Sequence, residues 1–153
     1  MGSYFQLKGF PMGEALTEEF LNTILGADSL DRFLADECFV ERNLSAYLQQ
    51  LLEEKGLKQA QVVKDAQVNS TFGYQIFKGT RNCSRDTVLK ICFAMGLSVR
   101  EANRALQAAE HSALYSKNRR DAIIIFCLDH GASLQRVEEE LFRLGEKTLN
   151  QAE

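Results

Sequence analysis

Apolar residues recur every three or four positions along most of the chain, the spacing that places them on one face of an α-helix. No stretch keeps the alternation of a half-buried β-strand, and no Asn-Gly or Asp-Gly pair marks a hairpin. Glycines follow several of the apolar segments at positions where helices commonly end. The sequence therefore predicts an all-α protein. The predicted helices span residues 17–25, 29–41, 44–55, 59–66, 70–77, 85–95, 99–109, 117–130 and 134–144.

The predicted helices fall into three parts. Residues 1–42 form an N-terminal arm with amphipathic helices, residues 43–110 contain five closely spaced helices, and residues 111–153 form a C-terminal helical hairpin. Ser98 and Glu101 have the spacing of a capping box at the start of the fifth helix of the central part. We therefore expect a five-helix domain flanked by an arm and a hairpin.

The overall composition is that of an ordinary soluble protein, with 45% apolar residues, 25% charged residues and a net charge of −3. The longest apolar run, residues 122–126, is far shorter than the roughly 20 residues that cross a bilayer. The first residues lack the apolar core of a signal peptide. These features predict a cytoplasmic protein without membrane association. The acidic total argues against nucleic-acid binding through bulk charge.

The distribution of charge changes that last inference. Residues 55–90 carry seven basic and two acidic side chains, a net charge of +5, whereas residues 1–54 carry three basic and ten acidic ones. A basic segment of this kind is either a solvated helical face or the electrostatic footprint of phosphate binding. The sequence pattern within the segment favours phosphate binding.

Two short helices separated by about three residues lie within the basic segment. The first ends near Ala66, and the turn that follows contains Asn69, a favourable N-cap for the second helix. The second helix is rich in small and amide side chains and is closed by Gly79. The major groove of DNA admits one α-helix, and Ser, Thr and Gln side chains can pair with base edges there. The pattern favours a helix-turn-helix that binds double-stranded DNA.

A longer set of positions keeps one ungapped register from residue 57 to residue 98. Its members are Leu57, Gln59, Val62, Val68, Ile76, Gly79, Arg81, Asn82 and the run from Leu89 to Ser98. On these residues the chain, from Leu44 to about Ala109, resembles the Cro/repressor-type (XRE) helix-turn-helix family of DNA-binding proteins. The resemblance implies a five-helix DNA-binding domain.

The resemblance also implies which side chains meet DNA. The residues that face base edges would be Ser70, Thr71, Tyr74 and Gln75. The residues that contact phosphates would be Lys58, Gln59, Lys78 and Arg81, with an outer base as the alternative contact for Gln59. Phosphate contacts set affinity and orientation, whereas base contacts set sequence choice.

The chain departs from the family pattern at five positions. They are Val63 for a usual Ala, Gln67 for a usual Gly, Gly73 for a usual core aliphatic residue, Phe77 for a usual Glu, and Cys83 for a usual Pro. A glycine inside a short helix costs about 1 kcal/mol relative to alanine. We expect Phe72 or Phe77 to fill the space that Gly73 leaves.

The apolar residues of the C-terminal hairpin allow two interpretations, an intramolecular core or a dimer interface. Repressors of this type bind two half-sites as dimers, which favours the interface. The predicted dimerisation residues are Ile124, Phe126, Leu134, Val137, Leu141 and Leu144. The adjacent Arg119 and Arg120 are interpreted as a solvated helix start, with a second phosphate-binding patch as the alternative.

Sequence patterns of catalysis and metal binding are missing. The four cysteines form no Cys-x-x-Cys motif and are interpreted as free thiols. Cys127 and His130 have a ligand-like spacing, but two ligands do not make a zinc site. We therefore expect no enzymatic activity, no cofactor and no metal.

Together these features predict a transcriptional regulator, with repression as its expected mode, that binds double-stranded DNA as a homodimer. A protein partner at the N-terminal arm or the C-terminal hairpin is compatible with this function. The alternative is a helix-turn-helix scaffold used as a protein-interaction or antitoxin-like module. Gly73, Phe77 and the acidic flanks motivate that alternative.

Overall fold

The computed structural model of the protein describes residues 17–36 and 43–150. These residues form helices and no strand, which confirms the all-α prediction. The helices are α1 (Thr17–Leu25), α2 (Leu30–Asp36), α3 (Leu44–Lys55), α4 (Gln59–Asp65), α5 (Ser70–Lys78), α6 (Arg85–Met95), α7 (Val99–Ala108), α8 (Arg119–Asp129) and α9 (Leu134–Arg143). None of the helices in this part of the chain combines the length and the apolar content needed to cross a membrane.

The chain divides into two compact units, residues 1–41 and residues 42–153. In the first unit, α1 has the predicted bounds, and α2 covers residues 30–36 of the helix predicted over 29–41. The rest of that predicted helix lies outside the described residues. Leu30 and Leu34 are exposed on α2, so the arm carries apolar side chains on its surface.

In the second unit, a side-chain capping bond marks the start of every helix except α4. Every helix of the unit starts and ends within two residues of its predicted bounds. The Asn69 side chain accepts hydrogen bonds from the N–H groups of Thr71 and Phe72, as expected of an N-cap. At α7, Ser98 accepts from the Glu101 N–H, and the Glu101 carboxylate accepts from the Ser98 N–H. The predicted capping box is therefore confirmed.

One apolar core runs through the second unit. Leu48 and Leu51 of α3, and Leu89 of α6, are almost completely buried in it. Ile124 of α8 and Leu141 of α9 belong to the same cluster, because α8 packs on α7 and α9 packs on α6. Each such side chain contributes roughly 1.5–3 kcal/mol through burial. The hairpin thus shares its core with the five helices before it.

This shared core corrects part of the dimer prediction. Ile124, Leu134, Val137 and Leu141 are buried within the chain. Side chains that fill the core of one chain do not form the surface that meets a partner, so the core interpretation holds for these four. Of the six predicted dimerisation residues, Phe126 is 62% exposed and Leu144 is half-buried.

Two arginine–aspartate pairs join the hairpin to α6. The Arg85 guanidinium donates to both carboxylate oxygens of Asp121, at 3.1 and 2.9 Å. It also donates to the backbone oxygens of Ser112 and Ala113. All three nitrogen atoms of this guanidinium therefore donate hydrogen bonds within the fold.

In the second pair the aspartate lies on α6 and the arginine on α8. Arg120, the residue before Asp121, donates to both carboxylate oxygens of Asp86, at 3.1 and 3.2 Å, and Asp86 is the residue after Arg85. The neighbouring Arg119 is exposed and pairs with Glu146 at 2.7 Å. Arg120 is therefore neither part of a solvated helix start nor part of a phosphate-binding patch, the two interpretations offered for Arg119 and Arg120. Its side chain is 18% exposed and forms an internal ion pair.

The protonation of Asp121 reflects this setting. Burial by itself raises the pKa of its carboxyl group, but the hydrogen bonds from Arg85 and from the Tyr115 N–H outweigh burial. The positive charges of Arg85 and Arg120 act in the same direction as those hydrogen bonds. The pKa of Asp121 therefore lies below its ordinary value, and the ionised form is stabilised by folding.

Candidate nucleic-acid interface

Helices α4 and α5 and the turn between them form the predicted helix-turn-helix. The turn passes through Gln67, whose φ of +60° lies in the left-handed region that favours glycine. A glutamine stands here in place of the usual glycine, and the backbone keeps the conformation that a glycine would adopt. The departure at this position therefore places a non-glycine residue in a conformation that costs it free energy.

The departures at Val63 and Gly73 compensate for each other. A Cβ atom on Gly73 would lie 2.5 and 2.8 Å from the two γ-carbons of Val63. The larger residue on α4 thus occupies the space that the smaller residue on α5 leaves. The expectation that Phe72 or Phe77 fills this space is corrected, because Val63 fills it; Phe77 is buried in the core. The pair keeps α4 and α5 in close contact.

The outer face of α5 carries the predicted DNA-contacting residues. Thr71, Tyr74 and Lys78 are exposed and Gln75 is partly exposed, and their spacing of three and four residues places them on one stripe of the helix. Ser70 is exposed at the first position of the helix. We call these five residues the α5 stripe. The buried residues of the helix, including Ile76 and Phe77, point to the opposite side.

Two cations contact aromatic rings of α5, one within the α5 stripe and one beside it. The Lys78 ammonium lies 5.5 Å from the centre of the Tyr74 ring. The Arg81 guanidinium lies 5.2 Å from the centre of the Phe72 ring and donates to the Gln75 side chain at 3.0 Å. A predicted base-contacting residue and a predicted phosphate-contacting residue are therefore joined before any DNA is bound. No local sequence pattern predicts this contact, since Arg81 lies six positions after Gln75 and beyond the end of the helix.

Gln49 of α3 joins the start of α4 to the end of α5. Its side-chain amide donates to the backbone oxygen of Phe77 at 3.1 Å and to Gln59 Oε1 at 3.3 Å. Gln59 is partly exposed, and the bond to its oxygen leaves its amide nitrogen as a donor. Gln59 and the neighbouring Lys58 thus lie near the C-terminal end of the α5 stripe, where the resemblance requires phosphate contacts. No sequence signal singled out Gln49.

The cations of the basic segment are not equivalent in the fold. Arg85 pairs with Asp121, Lys55 pairs with Glu101, and Lys90 donates to Asn150. Among the described residues, no carboxylate pairs with the remaining cations, which are Lys58, Lys64, Lys78 and Arg81. All four are exposed. The cations left for phosphate lie on or beside α4 and α5.

The end of the described chain reaches the helix-turn-helix as well. Asn150 donates to the Gln67 side chain at 2.9 Å and accepts from the Lys90 ammonium at 2.8 Å. Its backbone N–H donates to Glu138 of α9. The side chain of Gln67 therefore bonds the turn to the C-terminal segment, a contact that a glycine in its place would lack.

The three cysteines of the described residues are buried or partly buried. Cys83, Cys92 and Cys127 are free thiols, and burial raises the pKa of each, to about 11 for Cys83. A protonated buried thiol is a poor nucleophile and a poor metal ligand. Within residues 17–36 and 43–150, no three His, Cys, Asp or Glu side chains come close enough to hold a metal ion.

A groove of about 680 Å³ lies between α8 and α9. Its lining includes the apolar residues Ile123, Phe126 and Leu144 and the cations Arg136 and Arg143. The Phe126 ring stacks on the His130 ring with their centres 3.9 Å apart. The groove is therefore a concave site with an exposed aromatic ring on the second unit, and Phe142 is exposed outside it.

The segment that contains the α5 stripe was compared with known protein families. Residues 47–104 match the family model described as the Cro/C1-type HTH DNA-binding domain. The chain thus carries a helix-turn-helix domain of the Cro/C1 type, and the resemblance seen in the sequence is confirmed for this segment. No curated protein and no solved structure matches the chain.

Proposed function

We propose that this protein is a sequence-specific transcriptional regulator that binds double-stranded DNA as a homodimer, with repression as its mode of action. The observation that carries the proposal is the α5 stripe. Side chains able to pair with base edges share one exposed face with Lys78, and Arg81 lies beside them. Cations without a carboxylate partner in the described residues lie on or beside α4 and α5, where they can contact a phosphate backbone.

The departures at Gly73 and Phe77 do not weaken this function. Both residues are buried, and neither removes a side chain from the α5 stripe. The alternative of a protein-interaction module that has lost DNA binding therefore loses two of the observations that motivated it. We keep DNA binding as the proposed function.

The direct test is selection of duplexes from a random library by the full chain, followed by fluorescence anisotropy at physiological salt. We expect the selected duplex to bind far more tightly than the roughly 10⁻⁴–10⁻⁶ M of non-specific complexes. Gln75→Ala should relax the preference at one base pair by roughly 1–3 kcal/mol. Gln107→Ala, which removes an exposed glutamine from α7, is the matched control and should change nothing. Selection without sequence enrichment would overturn the proposal.

The homodimer is proposed to form through the groove between α8 and α9. A single domain of this type reads one half-site, so specific binding in a genome calls for two copies. Phe126 lies in the groove and is 62% exposed, whereas Phe142 is 79% exposed and lies outside it. We expect Phe126→Asp to reduce the solution mass from dimer to monomer and Phe142→Asp to leave it unchanged. A monomeric wild-type chain at micromolar concentration would contradict this part of the proposal.

A further inference from the structure

The contact between Gln75 and Arg81 fixes which atoms of the glutamine are free. A guanidinium has only donors, so the side-chain atom that meets Arg81 at 3.0 Å must be the Gln75 oxygen. The amide nitrogen of Gln75, with its two N–H donors, is therefore the end without a partner among the described residues. A glutamine without such a partner can rotate its amide group and present either its oxygen or its nitrogen to a base.

Two further contacts hold Arg81 in this position. Its guanidinium lies over the Phe72 ring, 5.2 Å from the ring centre, where the face of the ring attracts a cation. The preceding residue, Thr80, donates its backbone N–H to the Gln75 backbone oxygen at 3.0 Å. The segment after α5 is therefore bonded back onto the last turn of the helix, and Arg81 reaches Gln75 from a restrained backbone.

The pair presents a surface of donors to the DNA. A free glutamine pairs with adenine by accepting from the N6 amino group and donating to N7. With Arg81 on the glutamine oxygen, an adenine amino group would have to approach beside a positive charge. Guanine offers two acceptors in the major groove, O6 and N7, and no donor. A donor-only pair with a positive charge therefore favours guanine.

We propose that Arg81 is a positioning residue that converts Gln75 from an adenine-compatible side chain into a guanine-selective one. This inference rests on the proposed DNA-binding function and adds to it the base that Gln75 recognises. It differs from the role that the resemblance implies for Arg81, which is a phosphate contact. Lys78, held over Tyr74 on the same stripe, remains available for that role.

Arg81→Lys separates the two roles. Lysine keeps the positive charge but lacks the planar guanidinium that bonds to Gln75 and stacks on Phe72. A residue that only contacts phosphate tolerates this change, whereas a residue that orients Gln75 does not. The readout is base preference at one position, measured together with the salt dependence of binding.

The experiment uses the full chain and duplexes taken from the selection. Comparison of wild type with Gln75→Ala identifies the base pair that Gln75 contacts. We expect guanine there for wild type, and for Arg81→Lys a roughly tenfold fall in the preference for guanine over adenine, with the salt slope and the thermal midpoint unchanged. Arg100→Lys, which makes the same exchange at an exposed position of α7 outside the helix-turn-helix, is the control and should keep the guanine preference.

Three results overturn the inference while leaving the proposed function intact. They are adenine at the position that Gln75 contacts, an unchanged guanine preference in Arg81→Lys, and a selected sequence that Gln75→Ala does not alter. A wild-type chain that enriches no sequence at all overturns the proposed function and the inference together. The two failures are therefore distinguishable.

Discussion

Two groups of basic side chains in this protein are alike in sequence and different in the fold. Beside α4 and α5, Lys58, Lys78 and Arg81 are exposed and have no carboxylate partner among the described residues. At the junction of α6 and α8, Arg85 and Arg120 each form two hydrogen bonds to an aspartate. A cation is available for DNA only where the fold supplies no carboxylate, so the net charge of a segment overstates its capacity to bind phosphate.

The junction achieves its neutrality with a repeated dipeptide. An arginine followed by an aspartate lies at the start of α6, as Arg85 and Asp86, and again at the start of α8, as Arg120 and Asp121. Each arginine bonds to the aspartate of the other helix. Because both pairs are largely shielded from water, we expect them to matter more for stability than the exposed pairs of the hairpin.

The largest expected effect comes from breaking this junction. Asp121→Ala leaves Arg85 without its carboxylate in a setting where its side chain is 23% exposed. We expect the free energy of unfolding at neutral pH to fall by about 3 kcal/mol, measured by urea denaturation. Glu146→Ala, which breaks the pair with the 63% exposed Arg119, should cost less than about 1 kcal/mol. Equal losses in the two variants would contradict the contrast between paired and exposed cations.

Acid should remove the difference between wild type and Asp121→Ala. The pKa of Asp121 is lowered by folding, so its contribution is present above the pKa of the unfolded chain, about 4. It is lost as the pH falls through the lower pKa of the folded state. The two urea midpoints should therefore approach each other below about pH 4. A gap that stays constant from neutral to acid pH would exclude the ionised carboxylate as its cause.

A smaller effect is expected at the contact between α4 and α5. Gly73→Ala places a Cβ atom 2.5 Å from a γ-carbon of Val63, and overpacking of about 1–3 kcal/mol outweighs the roughly 1 kcal/mol that alanine gains in a helix. Val63→Ala in the same chain removes both γ-carbons and should recover part of the loss. A double-mutant cycle by urea denaturation measures this coupling. Strictly additive losses would show that the two residues do not compensate each other.

The smallest effect is expected at the turn. Gln67→Gly relieves the left-handed φ of +60°, worth about 1 kcal/mol, and removes the exposed hydrogen bond to Asn150, worth about 0.5 kcal/mol. We expect a net gain of about 0.5 kcal/mol in the free energy of unfolding. Asn150→Ala loses the bond without relieving the backbone, so it should be slightly less stable than wild type. A destabilised Gln67→Gly would mean that the bond outweighs the strain.

The sequence predicts the helices well because their boundary signals are local. Asn69 and Ser98 cap helices through bonds within three residues, and the family register places the α5 stripe without any tertiary information. The compensation between Val63 and Gly73 was also predictable from the sequence. Val63 is larger than the usual residue, Gly73 is smaller, and the two lie on helices that pack together. Considered one at a time, the two departures predict the wrong side chains in the space at Gly73.

The long-range contacts were not predictable in the same way. Arg85 and Asp121 are 36 residues apart, and no local pattern tells an arginine that pairs internally from one that meets phosphate. The hairpin presented a related difficulty. Its narrow apolar seam is equally typical of a core and of an interface, and only the packing of α8 and α9 on α7 and α6 buries Val137 and Leu141 within the chain.

The salt dependence of binding to the selected duplex tests most directly whether the α5 stripe meets DNA. Each phosphate contact contributes about −0.9 to the slope of log K against log salt concentration. We predict that Lys78→Ala makes the slope less steep by about 1, whereas Arg119→Ala, which removes a cation paired with Glu146, leaves it unchanged. An unchanged slope in Lys78→Ala, or an equal change in Arg119→Ala, would contradict DNA binding through this face.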